Sequence, residues 1–188
     1  MAPKSIAVNR RKSPFVLQET NVVYVFVLGD KECGKSSLIR ALTTNEVEDS
    51  NLPSLTVFES RELLSRSLFI LRFCELSGET VRLEEVKRTC QQQNTVLCFC
   101  LAMDDSNPLQ TVSVHFDKLR DTFGITLPSI LVGSKKDLRP DLDEEWGEHM
   151  RICFDLQQYH ECSVLNKQSV SDLFYIAVGL AMSTDLFS

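Results

Sequence analysis

Gly29-Asp30-Lys31-Glu32-Cys33-Gly34-Lys35-Ser36 stands between an apolar, β-branched run at 22–28 and a segment of helical composition at 36–42. The stretch fits the spacing GxxxxGK[ST] in the order strand, loop, helix, which is the context that spacing requires. Glycines let a backbone curl round an oxyanion, successive N–H groups then point inward, and the first turn of the helix adds partial positive charge. The expected phosphate contacts are therefore Gly29, Lys31, Glu32, Cys33, Gly34, Lys35, Ser36 and Ser37. Lys35 supplies a cation for the β and γ phosphates, and the Ser36 hydroxyl a ligand for Mg²⁺.

Downstream, a polar stretch covers 43–53, and residues 55–58 and 68–74 read as strands joined by a polar reversal. Residues 81–90 put Val81, Val86 and Cys90 on one helical face, and 96–101 is apolar throughout, as a parallel strand covered on both sides would be. Ser106 or Asn107 can cap a helix opening at Pro108, with Leu109, Val112, Phe116, Leu119 and Phe123 inward and Gly124 at its end. Residues 130–133 give the next buried strand, Trp146, Met150 and Cys153 mark an amphipathic helix, and 158–163 fits a last strand. The box Ser169-x-x-Asp172 caps a final helix carrying Leu173, Phe174, Ala177, Leu180 and Ala181. Alternating strands and helices predict an α/β fold, a mostly parallel six-stranded sheet with helices on both faces.

Composition bounds the rest. A chain of 188 residues, 43% hydrophobic, can bury one sizeable core. We divide it into a flexible tail at 1–20, one domain at 21–183 and a short tail at 184–188. A net charge of -6 with the two signs interspersed gives no broad positive field for phosphate backbones, so nucleic acid is excluded as a main partner. The basic cluster Lys4, Arg10, Arg11 and Lys12 reads as a solvated arm. The seven cysteines are odd in number and mostly embedded in apolar patterns, which points to reduced, buried thiols in the cytosol or nucleus. Cys98 and Cys100 share a strand face, but no second pair stands at zinc-ligand spacing, and His115, His149 and His160 are scattered. No apolar run is long enough to span a bilayer, and the terminal Thr184-Asp185-Leu186-Phe187-Ser188 has no prenylation cysteine.

A second signal concerns the base. Ser134-Lys135-Lys136-Asp137 follows the buried strand ending in Val132-Gly133, at the carboxyl end where open α/β sheets bind ligands. A carboxylate there accepts two hydrogen bonds from the N1–H and exocyclic amine of guanine, which adenine does not offer. Asp137 is thus the residue expected to select guanine.

From Asn21 to about Met182 the chain resembles the Ras superfamily of small GTPases, which share a P-loop NTPase fold, and it leans toward the Rho branch. "LVGSKKDLR" is similar to the base-binding LVGTKxDLR of Rho proteins, "LTVFES" to their PTVFEN effector segment and "ECSVL" to their ECSAL loop. "SDLFYIAVGLAM" and "LPSILVGSKKDL" are also similar to the GTPase domains of mitochondrial Rho (Miro) proteins, which, like this chain between Asp137 and Cys162, lack the extra helix of ordinary Rho proteins.

The resemblance implies a switch that binds GTP or GDP with Mg²⁺. Thr56 would sense the γ phosphate through the metal, and Ser36, Thr56 and Glu75 would form the metal set. Glu75 and Gly78 stand where the family has the aspartate and glycine of DxxG, and Glu79 where it has the water-orienting glutamine. Gly78, Glu79 and Lys35 would be the catalytic group. Ser134, Lys135, Asp137, Ser163 and Val164 would hold the base. Protein effectors and regulators would dock on the switch segments of a monomer, in the cytoplasm or at the cytosolic face of mitochondria or another membrane through a partner or larger parent chain. Glu75, Glu79, and Lys31 at a usually glycine position depart from the pattern, so slow hydrolysis is expected. The competing reading is a pseudo-GTPase interaction domain; a small-molecule kinase would leave the SKKD and ECS loops unexplained.

Overall fold

Alternate residues of the first strand belong to two different cores. In β1 (Thr20–Leu28), Val23, Val25 and Val27 face one side of the sheet and Tyr24, Phe26 and Leu28 the other, all of them buried. A strand covered on both faces has no solvated side to keep polar, which explains the apolar run in the sequence. The computed structural model describes residues 20–43, 45–76, 83–105, 110, 113, 116–117, 127–142 and 144–183.

After β1 come α1 (Lys35–Leu42), β2 (Asn45–Val47), β3 (Val57–Leu64), β4 (Ser67–Glu75), α2 (Leu83–Gln92), β5 (Asn94–Ala102), β6 (Ser129–Ser134), α3 (Glu144–Cys153), β7 (Gln158–Glu161) and α4 (Lys167–Ser183). They build one seven-stranded sheet in the order β2-β3-β4-β1-β5-β6-β7. The pairings from β4 through β7 are parallel, while β2 and β3 run antiparallel at one edge. Helices α1 and α4 cover one face through Leu38, Ile39, Val170, Leu173 and Phe174; α2 and α3 cover the other through Val86 and Met150. Cys98 and Cys100 do share a face, the one under α1 and α4. The chain returns to opposite sides of β1 after α1 and after α2, so a crevice opens at the carboxyl ends of β1 and β5, where such sheets bind ligands.

Four expectations need correction. The sheet has seven strands, not six, because Asn45–Val47 in the polar stretch pairs antiparallel with β3; edge strands this short and polar carry no hydrophobic period to read. The strand expected at 55–58 begins at Val57 and continues to Leu64, where Ser65 and Arg66 (φ 49° and 73°) make a tight two-residue turn into Ser67. The final helix starts two residues before Ser169. Asn166 is its cap, its side-chain oxygen accepting from the amides of Gln168 (3.0 Å) and Ser169 (3.4 Å). Cys153 is exposed at the end of α3, whose inner face is Gly147 and Met150 with Trp146 half-buried beside them. The helix expected to open at Pro108 lies largely outside the described residues; Gln110, Ser113, Phe116 and Asp117 are helical. The tails at 1–19 and 184–188 also lie outside them. Among the described residues no helix is long and apolar enough to cross a membrane.

Candidate functional site

The loop after β1 is shaped by left-handed backbone. Gly29 (φ 144°), Glu32 (φ 63°) and Gly34 (φ 95°) all take positive φ, and a Cβ on Gly29 would lie 2.0 Å from the carbonyl oxygen of Cys100. Only glycine fits there, because the loop passes directly over the backbone of β5. Lys35 opens α1 with its side chain folded back over the loop, Nζ donating to the carbonyls of Gly29 (2.9 Å) and Asp30 (2.5 Å). The side chain is 5% exposed, and its ammonium also lies 3.9 Å from a Glu75 oxygen at the end of β4. Lys31, Glu32 and Ser37 are exposed on the rim.

Ser36 is the second meeting point. Its hydroxyl donates to Glu75 Oε2 at 2.6 Å, and Ser36, Glu75 and Thr56 line one cleft of about 390 Å³ together with Arg40, Ser54 and Phe58. Three oxygen-bearing side chains from α1, β4 and the segment before β3 thus line the same cleft. Hard oxygen donors of this kind suit Mg²⁺, so the donor set fits the expected ion. Glu75 reaches Ser36 despite being one methylene longer than aspartate. Gly78 and Glu79 fall outside the described residues.

Cys33, the fifth residue of the loop, is buried against β5. Its interaction with the Cys100 thiol lowers its pKa, burial opposing and the nearby Lys35 charge assisting; the same contact, with burial, pushes Cys100 up. Burial, helped at Cys74 by the Asp49 charge, pushes the Cys74 and Cys90 thiols up to about 12, in keeping with inert core cysteines.

The base-side residues form a corner at the ends of β6 and β7. Asp137 lies exposed in a short 3₁₀ turn, Lys136–Leu138, which Lys135 enters at φ 59°. Its Oδ1 accepts a hydrogen bond from Ser163 Oγ at 2.5 Å. Ser163 is itself fixed: its amide donates to Ser169 Oγ (3.2 Å), and its carbonyl accepts from Asn166 N (2.9 Å). Val164 beside it is exposed. Ser134 is buried, and its hydroxyl lies within donating distance of the Leu101 carbonyl (2.9 Å) and the Cys33 carbonyl, so it ties the corner to the phosphate loop. Lys135 Nζ reaches Asp104 at 3.4 Å.

Two groups of residues were missed in the sequence. Lys136 pairs with Glu161 (2.7 Å) and donates to the Leu142 carbonyl (2.7 Å), while Tyr159 donates to the other Glu161 oxygen (3.0 Å); together they brace the turn that carries Asp137. Gly147 lets α3 close on Tyr159, since a Cβ there would sit 1.8 Å from the ring. The second group lies beneath the polar stretch. Asp49, 6% exposed, accepts from Tyr24 Oη (2.7 Å) and Arg72 Nη1 (2.8 Å), and Arg72 also reaches Glu59 (3.3 Å). Burial works against the Arg72 charge, but Tyr24, Asp49 and Glu59 outweigh it and hold its pKa above the ordinary value. Burial likewise pushes the Tyr24 hydroxyl up, keeping it a donor. A charged residue inside the apolar run 68–74 was the signal available, because a buried guanidinium demands partners.

Comparison with known proteins agrees with this geometry. The family model described as Ras family matches residues 24–182. The GTP-binding protein rho2 of Schizosaccharomyces pombe is 25% identical over 182 residues, covering 84% of this chain and 86% of that protein. The human Rho-related GTP-binding protein RhoB is 24% identical over 181 residues, with 83% and 87% covered.

Proposed function

Because the chain belongs to the Ras family, as a divergent, Rho-like member, we propose that it is a guanine-nucleotide switch that binds GTP and GDP with Mg²⁺ and hydrolyses GTP slowly. One observation carries the reading: Lys35, Ser36, Glu75 and Thr56 gather at one end of the sheet, while Asp137 and Ser163 meet at the ends of neighbouring strands on the same side. Lys35 and the loop amides hold the β and γ phosphates. Ser36, Thr56 and Glu75 would hold Mg²⁺, which when bound neutralises charge on the phosphates. Asp137, oriented by Ser163, accepts the two guanine donors. Effectors and regulators would read the segments flanking Thr56 and Glu75, because a γ phosphate biases only what lies near it.

Slow hydrolysis follows from two residues. Glu79, at the place of the water-orienting glutamine, would set an anion beside an already negative phosphoryl group and cannot donate to it. Lys31 adds bulk where an activating arginine would enter. Lys31→Gly with Glu79→Gln should therefore raise single-turnover hydrolysis at similar nucleotide affinity; a parent already as fast as the double variant would remove both residues from the account.

The primary test is nucleotide extraction from purified protein with chromatography, followed by calorimetry with GTP and ATP. GDP or GTP in the extract, a clear preference for GTP, and faster release on chelation of Mg²⁺ are expected. Equal affinity for ATP and GTP would overturn the assignment.

A further inference from the structure

The polar stretch before Thr56 is fastened to the sheet at several points. Asp49, its side chain 1% exposed, takes a third hydrogen bond from the amide of Asn51 (2.8 Å), and Asn51 Nδ2 donates to Tyr24 Oη (2.9 Å). Two turns follow, with Leu52 N donating to the Asp49 carbonyl (3.0 Å) and Leu55 N to the Leu52 carbonyl (3.1 Å). Leu52 is fully buried in the core under α2 and α3. Helix α2 holds the outer side: Ser54 Oγ donates to Glu85 (2.5 Å) and Arg88 to the Asn51 carbonyl (3.3 Å). None of these contacts uses a phosphate-loop residue.

Thr56 is therefore bracketed. Val57, its neighbour, is fully buried and paired with Cys74 in the β3–β4 ladder, and only residues 53–56 separate it from the buried Leu52. Four residues span at most about 14 Å even when fully extended. Resting on the nucleotide-switch reading above, we infer that Asp49, Arg72 and Tyr24 are positioning residues: they fasten the segment before Thr56 to the sheet whichever nucleotide is bound, and so hold Thr56 near Ser36 and Glu75 before any γ phosphate arrives. A segment ordered in advance has little entropy left to lose when the triphosphate binds, which favours the triphosphate complex.

The test is amide exchange on the full chain, nucleotide-free and with Mg²⁺ plus GDP or a non-hydrolysable GTP analogue, read at Asn51, Leu52 and Leu55. In the parent protein these amides should be protected to a similar degree in all three states. Asp49→Ala leaves Arg72 paired with Glu59, so no unpaired charge is stranded. It should speed exchange at the three amides about tenfold and weaken the analogue about tenfold while GDP changes by less than about twofold. Asp49→Asn, whose amide oxygen can accept from Tyr24 and Arg72 but whose NH2 cannot accept from the Asn51 amide, should recover part of both effects. Should Asp49→Ala fail to fold, Tyr24→Phe removes one hydroxyl and keeps the ring, and about threefold faster exchange is expected. Protection that appears only with the analogue, or equal weakening of GDP and analogue by Asp49→Ala, overturns the inference. If the chain binds neither nucleotide, the proposed function falls, yet protection in the nucleotide-free protein still decides the fastening: its presence supports it and its absence overturns it.

Discussion

The proposed phosphate loop is made by consecutive residues, whereas the proposed base corner is made by two loops 26 positions apart that meet only in the fold. The first works by charge and backbone: Lys35 and a left-handed turn closed over Cys100 need little beyond β1, α1 and β5. The second works by orientation, and its orientation is borrowed. Asp137 depends on Ser163, Ser163 on Ser169, and the turn on Lys136, Glu161 and Tyr159. Affinity should accordingly be sensitive to one side chain, and selectivity to packing some distance from the ligand.

Lys35→Ala is expected to have the largest effect, a loss of about a thousandfold in GTP affinity by calorimetry, because a charge-assisted contact to phosphate is removed from a largely desolvated place. GDP and GTP should both suffer. An unchanged affinity would mean that the loop contributes only backbone. Asp137→Asn comes next, weakening GTP by about a hundredfold while improving xanthosine triphosphate, whose ring offers an acceptor to the new amide. If both nucleotides lost affinity equally, the corner would be a structural brace and not a reader of bases.

Gly147→Ala sharpens the contrast, since it touches neither ligand nor loop. The new Cβ would displace the Tyr159 ring and with it the hydrogen bond to Glu161. About 2 kcal/mol of stability should be lost on denaturant titration, as for other overpacked core sites, and the preference for GTP over ATP should fall about tenfold. Preference unchanged beside lowered stability would detach the base corner from α3. Ser163→Ala should be mildest, reducing guanine affinity about threefold by freeing Asp137 to rotate, with Tm nearly constant. A loss as large as that of Asp137→Asn would show that the serine itself contacts the base.

This contrast also explains what could be read in advance. Residues 29–36 carry their meaning locally, in spacing and in the elements on either side, and the buried parallel strands announce themselves by unbroken apolar runs. Asp137 could be singled out as a candidate for the same reason, standing just past such a run. Asp49 was not, because its role exists only through Tyr24 and Arg72, which lie 25 and 23 positions away. Lys136 and Glu161 were hidden similarly. Asn166 was overlooked because Ser169-x-x-Asp172 satisfies a capping pattern three residues later, where the serine in fact bonds back to the carbonyls of Ser163 (3.3 Å) and Asn166 (2.9 Å) from within the helix.

Glu59, Arg72, Tyr24 and Thr95 stand in register across β3, β4, β1 and β5, one beside the next. In a sheet covered on both sides, apolar side chains distinguish the two sides poorly: Val23 and Phe26 are both buried, each against a different set of helices. A slip of one residue between neighbouring strands would turn Arg72 away from Asp49 and Glu59 and into the apolar layer shared with Phe174. The polar row thus serves as an alignment key for assembly. It penalises mispaired strands while the parallel ladders are still forming, at the stage when greasy strands alone would accept nearly any offset.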